Sequence, residues 1–556
     1  MKKVLIALAV LLVIAVGIFL YLRSGKIKED LEPFLKKKIS DLVVDASDSL
    51  YHLSVERFET DITDSLILIN AHLYPDTILY AQMEKEQRAP NDLFDVTIRR
   101  LAISDLTPTA FVGGNTIDIG TLFIDKPVVK VWHKKQPYNI PDGDSSKTIW
   151  QQIKKDIKRI RVDTVMLNEV DFVYTNKSRQ NKQTRFLDVN LLFTDILLDS
   201  TTQFDRQRFF FTKTGRIGFK KYSLNTEDGL YQLNIDKVQV QTHTKEIQLS
   251  QVQFKPRLSK KDFYNRVKVS KDIYDLAIGQ VDLRNVDWWS SMAEESLLVH
   301  RLDLKNGEIR IYKDRSKPAE PESKLGKYPH QLLLKAPLQL KIDSVQVDNL
   351  DVAYTELNPK SGQTGTISFN RIHATIDHVT NIPEEVRAGL FCTVRARALF
   401  MKKASLKAEF GFDLLRASKG NFKVSMSMGQ MAGTDLNSIT VPLGLVKVNS
   451  ANIKSLDATI TGNNYSASGT VKFLYNDLNI TALKESGDTL KKRGLLSFIA
   501  NNFVLRKENP LGWQPVRTEQ ASYQRNMQKS FFNLVWKTIF AGTGKTIGYK
   551  IKKERI

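Results

Sequence analysis

Ile160-Arg161-Val162-Asp163-Thr164-Val165 is rewritten 180 residues later as Leu340-Lys341-Ile342-Asp343-Ser344-Val345, and Val170-Asp171-Phe172-Val173-Tyr174-Thr175 as Leu350-Asp351-Val352-Ala353-Tyr354-Thr355. The one change that is not conservative, Phe172 to Val352, keeps an apolar side chain. The same offset relates Gln183-Thr184 to Gln363-Thr364, Asn190 to Asn370 and Ile196 to Ile376. Upstream it relates Ile98, Leu101 and Ile103 to Ile278, Val281 and Leu283, and Leu122, Ile124, Val129 and Val131 to Leu302, Leu304, Ile309 and Ile311. Tyr51, Leu53 and Val55 meet Tyr231, Leu233 and Ile235, and Pro75 meets Pro256 after a one-residue slip. A tandem module of this length implies a fold that grows by addition, with an extended surface in place of a compact pocket.

From about Asp48 to Ile480 the apolar residues recur with period two, as in Ile117/Ile119, Leu122/Ile124 and Val170/Phe172/Tyr174. That period predicts strands with one apolar and one polar face, and its phase slips predict bulges or short turns. Gln136–Ser146 and Arg315–Pro329 sit at equivalent places in the two copies and read as loops. Helices are expected only at Thr148–Lys158, Asp287–Ser296 and in the tail. The expected fold is therefore mainly β: an N-terminal transmembrane helix followed by an elongated, curled antiparallel β-sheet. Its parts are an anchor (1–25), two repeats (48–226 and 227–405), a C-terminal β segment (406–482) and a basic tail with an amphipathic helix (483–556). An apolar sheet face must be covered, and a closed sandwich and an open groove both satisfy the periodicity. The repeat favours the groove, because solenoid-like sheets extend by duplication.

Lys2 and Lys3 precede nineteen uninterrupted apolar or aromatic residues, Val4 to Leu22, ending at Arg23. The run suits one spanning helix and exceeds the roughly 7–15-residue core of a cleavable signal. A short N-terminal tail with a large C-terminal body suits a single-pass inner-membrane anchor with the bulk outside the cytoplasm. Across 556 residues the net charge is +21 and the pI about 9.6, a balance that favours anionic partners such as lipid headgroups. The basic residues are dispersed among acids, which argues against nucleic acid. Cys392 is the sole cysteine, so no intrachain disulfide forms.

Motifs that carry chemistry are missing their partners. Gly542-Thr-Gly-Lys-Thr546 lacks a phosphate loop's first glycine, that position being Ile539. The eight histidines show no metal-ligand spacing, and no nucleophile elbow occurs. Asp163, Asp171, Asp343 and Asp351 repeat between copies and read as turn residues at strand ends. No enzyme, cofactor or metal is expected. In the tail, Phe531, Phe532, Leu534, Val535, Trp536, Ile539 and Phe540 crowd one side of a helix with a basic flank. Such a helix either caps the sheet or lies on an anionic membrane, with Phe531, Phe532, Trp536 and Phe540 as interface candidates.

With its N-terminal anchor running at once into β-rich sequence, the chain resembles the AsmA-like superfamily of Gram-negative envelope proteins. The strand block Ile117–Val131 and the stretches Phe410–Leu415, Asp435–Asn437, Val441–Gly444 and Gly469–Leu478 carry the rest of the likeness. The resemblance implies a β-groove lined with apolar side chains that holds or moves phospholipid between inner and outer membranes, in the periplasm, without catalytic residues. The lining candidates are Ile160, Val162, Val170 and Phe172 with their partners Leu340, Ile342, Leu350 and Val352. The rival expectations are an assembly scaffold that pairs exposed strand edges with outer-membrane clients, and a spacer joining the membrane to an outer-membrane or periplasmic partner.

Overall fold

The computed structural model describes residues 40–548 apart from 42, 46, 62–64, 107–115, 140–157, 179–181, 203, 204, 206, 210, 289, 291–295, 390, 487, 488 and 493–504. The expected span Val4–Leu22 lies outside these residues, as do residues 148–157 of the helix expected over Thr148–Lys158 and residues 289 and 291–295 of the one expected over Asp287–Ser296. Among the described residues no helix is long and apolar enough to cross a membrane. Strand accounts for 60% of the chain and helix for 15%, so the fold is mainly β. Residues 1–224 and 234–249 cluster as one unit, and 225–233 and 250–556 as the other.

In the first unit β1 (Tyr51–Asp61), β2 (Ser65–Pro75) and β3 (Asp92–Leu106) pair antiparallel. Between β2 and β3 lies α1 (Thr77–Lys85), capped by Asp76, whose Oδ1 accepts the N–H groups of Ile78 and Leu79. Next come β4 (Thr116–Asp125) and β5 (Val128–His133), two halves of one line broken at Lys126-Pro127, and both pair antiparallel with β3. Both halves then run parallel to β6 (Arg159–Asn176). β7 (Lys182–Leu198) and β8 (Thr212–Asn225) continue antiparallel. Residues of β9 (Tyr231–Gln241) and β10 (Glu246–Pro256) fall in both units.

The second unit repeats this plan. After α2 (Lys260–Val267), capped by Ser259, β11 (Ile273–Val286) pairs antiparallel with β12 (Ser296–Asp314). β12 runs parallel to β13 (Gln339–Leu357), reached through a crossover containing α3 (Pro329–Leu334). Antiparallel pairing then resumes with β14 (Thr364–Thr380), β15 (Phe391–Phe400), β16 (Ala404–Asp413) and β17 (Phe422–Met428), with α4 (Pro383–Arg387) between β14 and β15. β18 (Met431–Ala432), α5 (Asn437–Gly444) and β19 (Val446–Gly462) follow, with β17 and β18 both paired to β19. β20 (Ser466–Ser486) pairs with β19, β21 (Thr489–Lys492) and β22 (Thr518–Gln524), and α6 (Phe531–Ile547) packs on β20 and β22. The tail is thus built into the sheet through a strand and a helix. The parallel steps correct the expectation of a purely antiparallel sheet. Alternation of apolar residues is the same in both kinds of pairing, so only the long connections preceding β6 and β13 distinguish them.

The two copies share register. Leu122 stands opposite Val165 and Val129 opposite Phe172; 180 residues on, Leu302 stands opposite Val345 and Ile309 opposite Val352. The Tyr51 hydroxyl accepts the Phe94 N–H, and the Tyr231 hydroxyl accepts the Tyr274 N–H. Left-handed residues recur at Lys126 and Asn306 and at Glu169 and Asn349, the second pair marking a bulge in each copy. Past the following turn the offset becomes 183. Val165 faces Phe193 whereas Val345 faces Ile376, so Ile196 corresponds to Val379 and Asn190 to His373. The turn joining β13 to β14 is longer, which shifts the pairings expected for Gln183, Asn190 and Ile196 by three.

Candidate apolar binding face

In the second unit Leu283, Leu302, Val345, Ile376, Val394 and Phe410 stand side by side across β11 to β16. Directly opposed residues project to the same face of a sheet, so this is one continuous apolar row. Val281, Leu304, Val347, Ala374, Ala396 and Ala408 form the next row on that face. Between them, on the other face, run Asp282, Asp303, Gln346, Thr375, Arg395 and Glu409. The polar face holds its charges by pairing: Asp303 lies beneath Arg284 and Arg301, and Lys305 reaches Asp282 at 2.9 Å. Beyond the Asn306 and Asn349 positions, Leu276, Ile309, Val352 and Phe369 align, and Phe369 meets the Phe400 ring at 5.6 Å.

Burial changes along these rows. Leu283, Leu302, Ile376, Val394 and Phe410 are half-buried, while Val424 and Ile460, next in line on β17 and β19, are sealed. Val424 and Ile460 share one core with Phe531, Leu534, Val535 and Ile539 of α6. The helix comes close because residue 542 is glycine; a Cβ there would stand 2.5 Å from the Val471 Cβ. Phe531 packs edge-on against Phe422 at 4.8 Å and near Phe412 at 5.4 Å. On the other side of the helix Phe532, Trp536 and Phe540 are exposed by 63%, 44% and 46%, a stripe at four-residue spacing. Phe532 lies 6.4 Å from the half-buried Phe410 ring, so the stripe begins where the half-buried part of the apolar row ends.

The expected lining residues divide by copy. Ile160, Val162, Val170 and Phe172 are buried, and the Phe172 ring lies tilted 6.1 Å from that of Phe186. Ile342 is buried, whereas Leu340, Leu350 and Val352 are half-buried. Of the tail aromatics, Phe531 is removed from the interface group because the Tyr328, Phe410, Phe412 and Phe422 rings enclose it. Thr538, on the same helix, is fully buried and its hydroxyl donates to the Leu534 carbonyl. The repeated aspartates lie inside β6 and β13, not at strand ends. Asp343 contacts His300 at 2.9 Å, and Asp351 accepts the Arg371 N–H at the β14 bulge. Sequence reasoning missed Leu283, Ile376, Val394 and Phe410 as lining, although their alternation with charged neighbours marks them.

Cys392 and the Gly542–Thr546 segment are both held within the fold. Burial pushes the Cys392 thiol up to about 11, so it stays protonated at neutral pH. Gly542–Thr546 forms turns of α6, and the Thr546 hydroxyl donates to the Gly542 carbonyl. Among the described residues no group of three or more His, Cys, Asp or Glu side chains could hold a metal ion. Comparison with protein-family models and with curated proteins finds no match.

Proposed function

We propose that this is a non-enzymatic envelope protein of the AsmA-like kind, anchored in the inner membrane by Val4–Leu22 with its bulk in the periplasm. In this reading, phospholipid acyl chains shelter on the apolar sheet face, which serves as the wall of an elongated groove. The protein thereby contributes to lipid transport or homeostasis between the inner and outer membranes. The observation that carries the reading is the apolar row from Leu283 to Phe410, half-buried at every position but the buried Val345, continuous with a sealed core and ending at the exposed aromatic stripe of α6. Hydrocarbon leaving a bilayer costs about 0.8 kcal/mol per CH₂ exposed to water, and contact with such a face offsets most of that cost. The sheet stores no energy, so direction comes from elsewhere.

The test is native mass spectrometry of the purified full chain beside a Leu302→Asp, Ile376→Asp variant. The unsubstituted chain should carry phospholipid. The variant should lose it while its β-sheet circular dichroism is unchanged, because both side chains are only half-buried. A lipid-free unsubstituted chain would sink the proposal.

A further inference from the structure

The apolar face ends in charge. Ile311 and Tyr354 are neighbours across β12 and β13, and two residues further along the same strands Lys313 stands opposite Glu356. Lys313 and Lys324 share two carboxylates: Lys313 Nζ is 3.2 Å from Asp272, and Lys324 Nζ is 3.4 Å from Glu320. Arg315 is matched by Glu356 at 2.8 Å. A fourth cation, Lys529, is half-buried and feels the charges of Lys313, Arg315, Lys324 and Glu356. Among the described residues no carboxylate lies within ion-pair distance of its ammonium. Four cations therefore share three carboxylates at a partly desolvated place, an arrangement that an added anion stabilises.

The site is held in place. The Arg525 guanidinium lies 4.2 Å over the Tyr328 ring and donates to the Lys324 and Lys529 carbonyls. The Lys324 N–H donates to the Met527 carbonyl at 2.7 Å. Both lysines thus start from a fixed backbone. Ser530 caps α6 at the next position, which brings the positive end of a seventeen-residue helix beside Lys529. Burial, and then the neighbouring Lys313 and Arg315 charges, hold the Lys529 ammonium below the usual lysine range.

We propose that Lys529, with Lys313, Arg315 and Lys324, binds the phosphate of a phospholipid whose chains lie on the adjoining apolar face. This rests on the reading of that face as an acyl-chain shelter, and it adds a preference for an anionic headgroup. The test uses the purified full chain with chain-labelled phosphatidylglycerol and with diacylglycerol bearing the same chains. Phosphatidylglycerol should bind about tenfold tighter or better. Lys529→Gln should remove that difference without weakening diacylglycerol, and Lys529→Arg should keep it. If the melting temperature of Lys529→Gln falls, Lys324→Gln replaces it and is expected to narrow the same difference. Unchanged phosphatidylglycerol affinity in a normally melting variant overturns the headgroup site and leaves the shelter standing. If inorganic phosphate binds as tightly as phosphatidylglycerol, the site takes a free anion and the lipid assignment falls. If neither lipid binds the unsubstituted chain, the shelter itself is wrong.

Discussion

His330 is buried, its ring stacks 5.1 Å from Phe412, and neither ring nitrogen has a hydrogen-bond partner. Burial holds its pKa down to about 4, with Asp413 opposing, against an ordinary value of 6.5. Between those values the unfolded chain binds the proton and the folded chain does not. Its stabilising effect is therefore complete above pH 6.5 and is lost as the pH falls toward 4, by about 3 kcal/mol in all. Urea melts should show this slope in the unsubstituted chain and a flatter one in His330→Phe. Nothing in the sequence near Pro329-His330 separates a core histidine from a surface one. Its environment comes from Phe412, eighty-two residues away. The aspartates of β6 and β13 were misread for a related reason. Asp351 serves a bulge in another strand, and a residue's own neighbours in sequence do not announce that.

At the level of the element, α6 offers the clearest contrast. Phe531→Ala empties a site enclosed by four rings and should lower stability by about 3–5 kcal/mol in denaturant melts. Phe532→Ala and Trp536→Ala touch solvent-facing rings and should stay within about 0.5 kcal/mol while reducing bound lipid. Gly542→Leu should separate the helix from Val471 and cost more than Trp536→Ala, measured the same way. The helix itself was legible from its apolar spacing. Which side faces the sheet was not, because Phe531, Val535 and Ile539 on one side are matched by Phe532, Trp536 and Phe540 on the other. α1 and α2 escaped notice because nine and eight residues hold too few turns to show a period. Their caps, Asp76 and Ser259, were the readable signal.

Over the chain as a whole, equivalent positions in the two copies have different surroundings. Phe172 is buried and Val352 is half-buried, although each occupies the same place in its parallel pair. Phe172→Asp should therefore unfold its unit or lower its melting midpoint severely, and Val352→Asp should be tolerated to within about 1–2 kcal/mol by thermal melts followed with circular dichroism. The duplication and the strand class were legible because identical spacing survives substitution. The parallel step was not, since the pleat places side chains alternately whichever way the neighbour runs. Register is unforgiving: a slip of one residue exchanges inner for outer side chains along a whole strand. With Leu122–Val165 and Leu302–Val345 meeting in the same register, this architecture can change length in its turns, as the longer β13–β14 turn shows, or by full modules, but not within a strand. Growth of the ladder is therefore quantised: a descendant carrying a third copy would inherit a working ladder at once, whereas one lengthened by an arbitrary insertion within a strand would have to rediscover which residues meet.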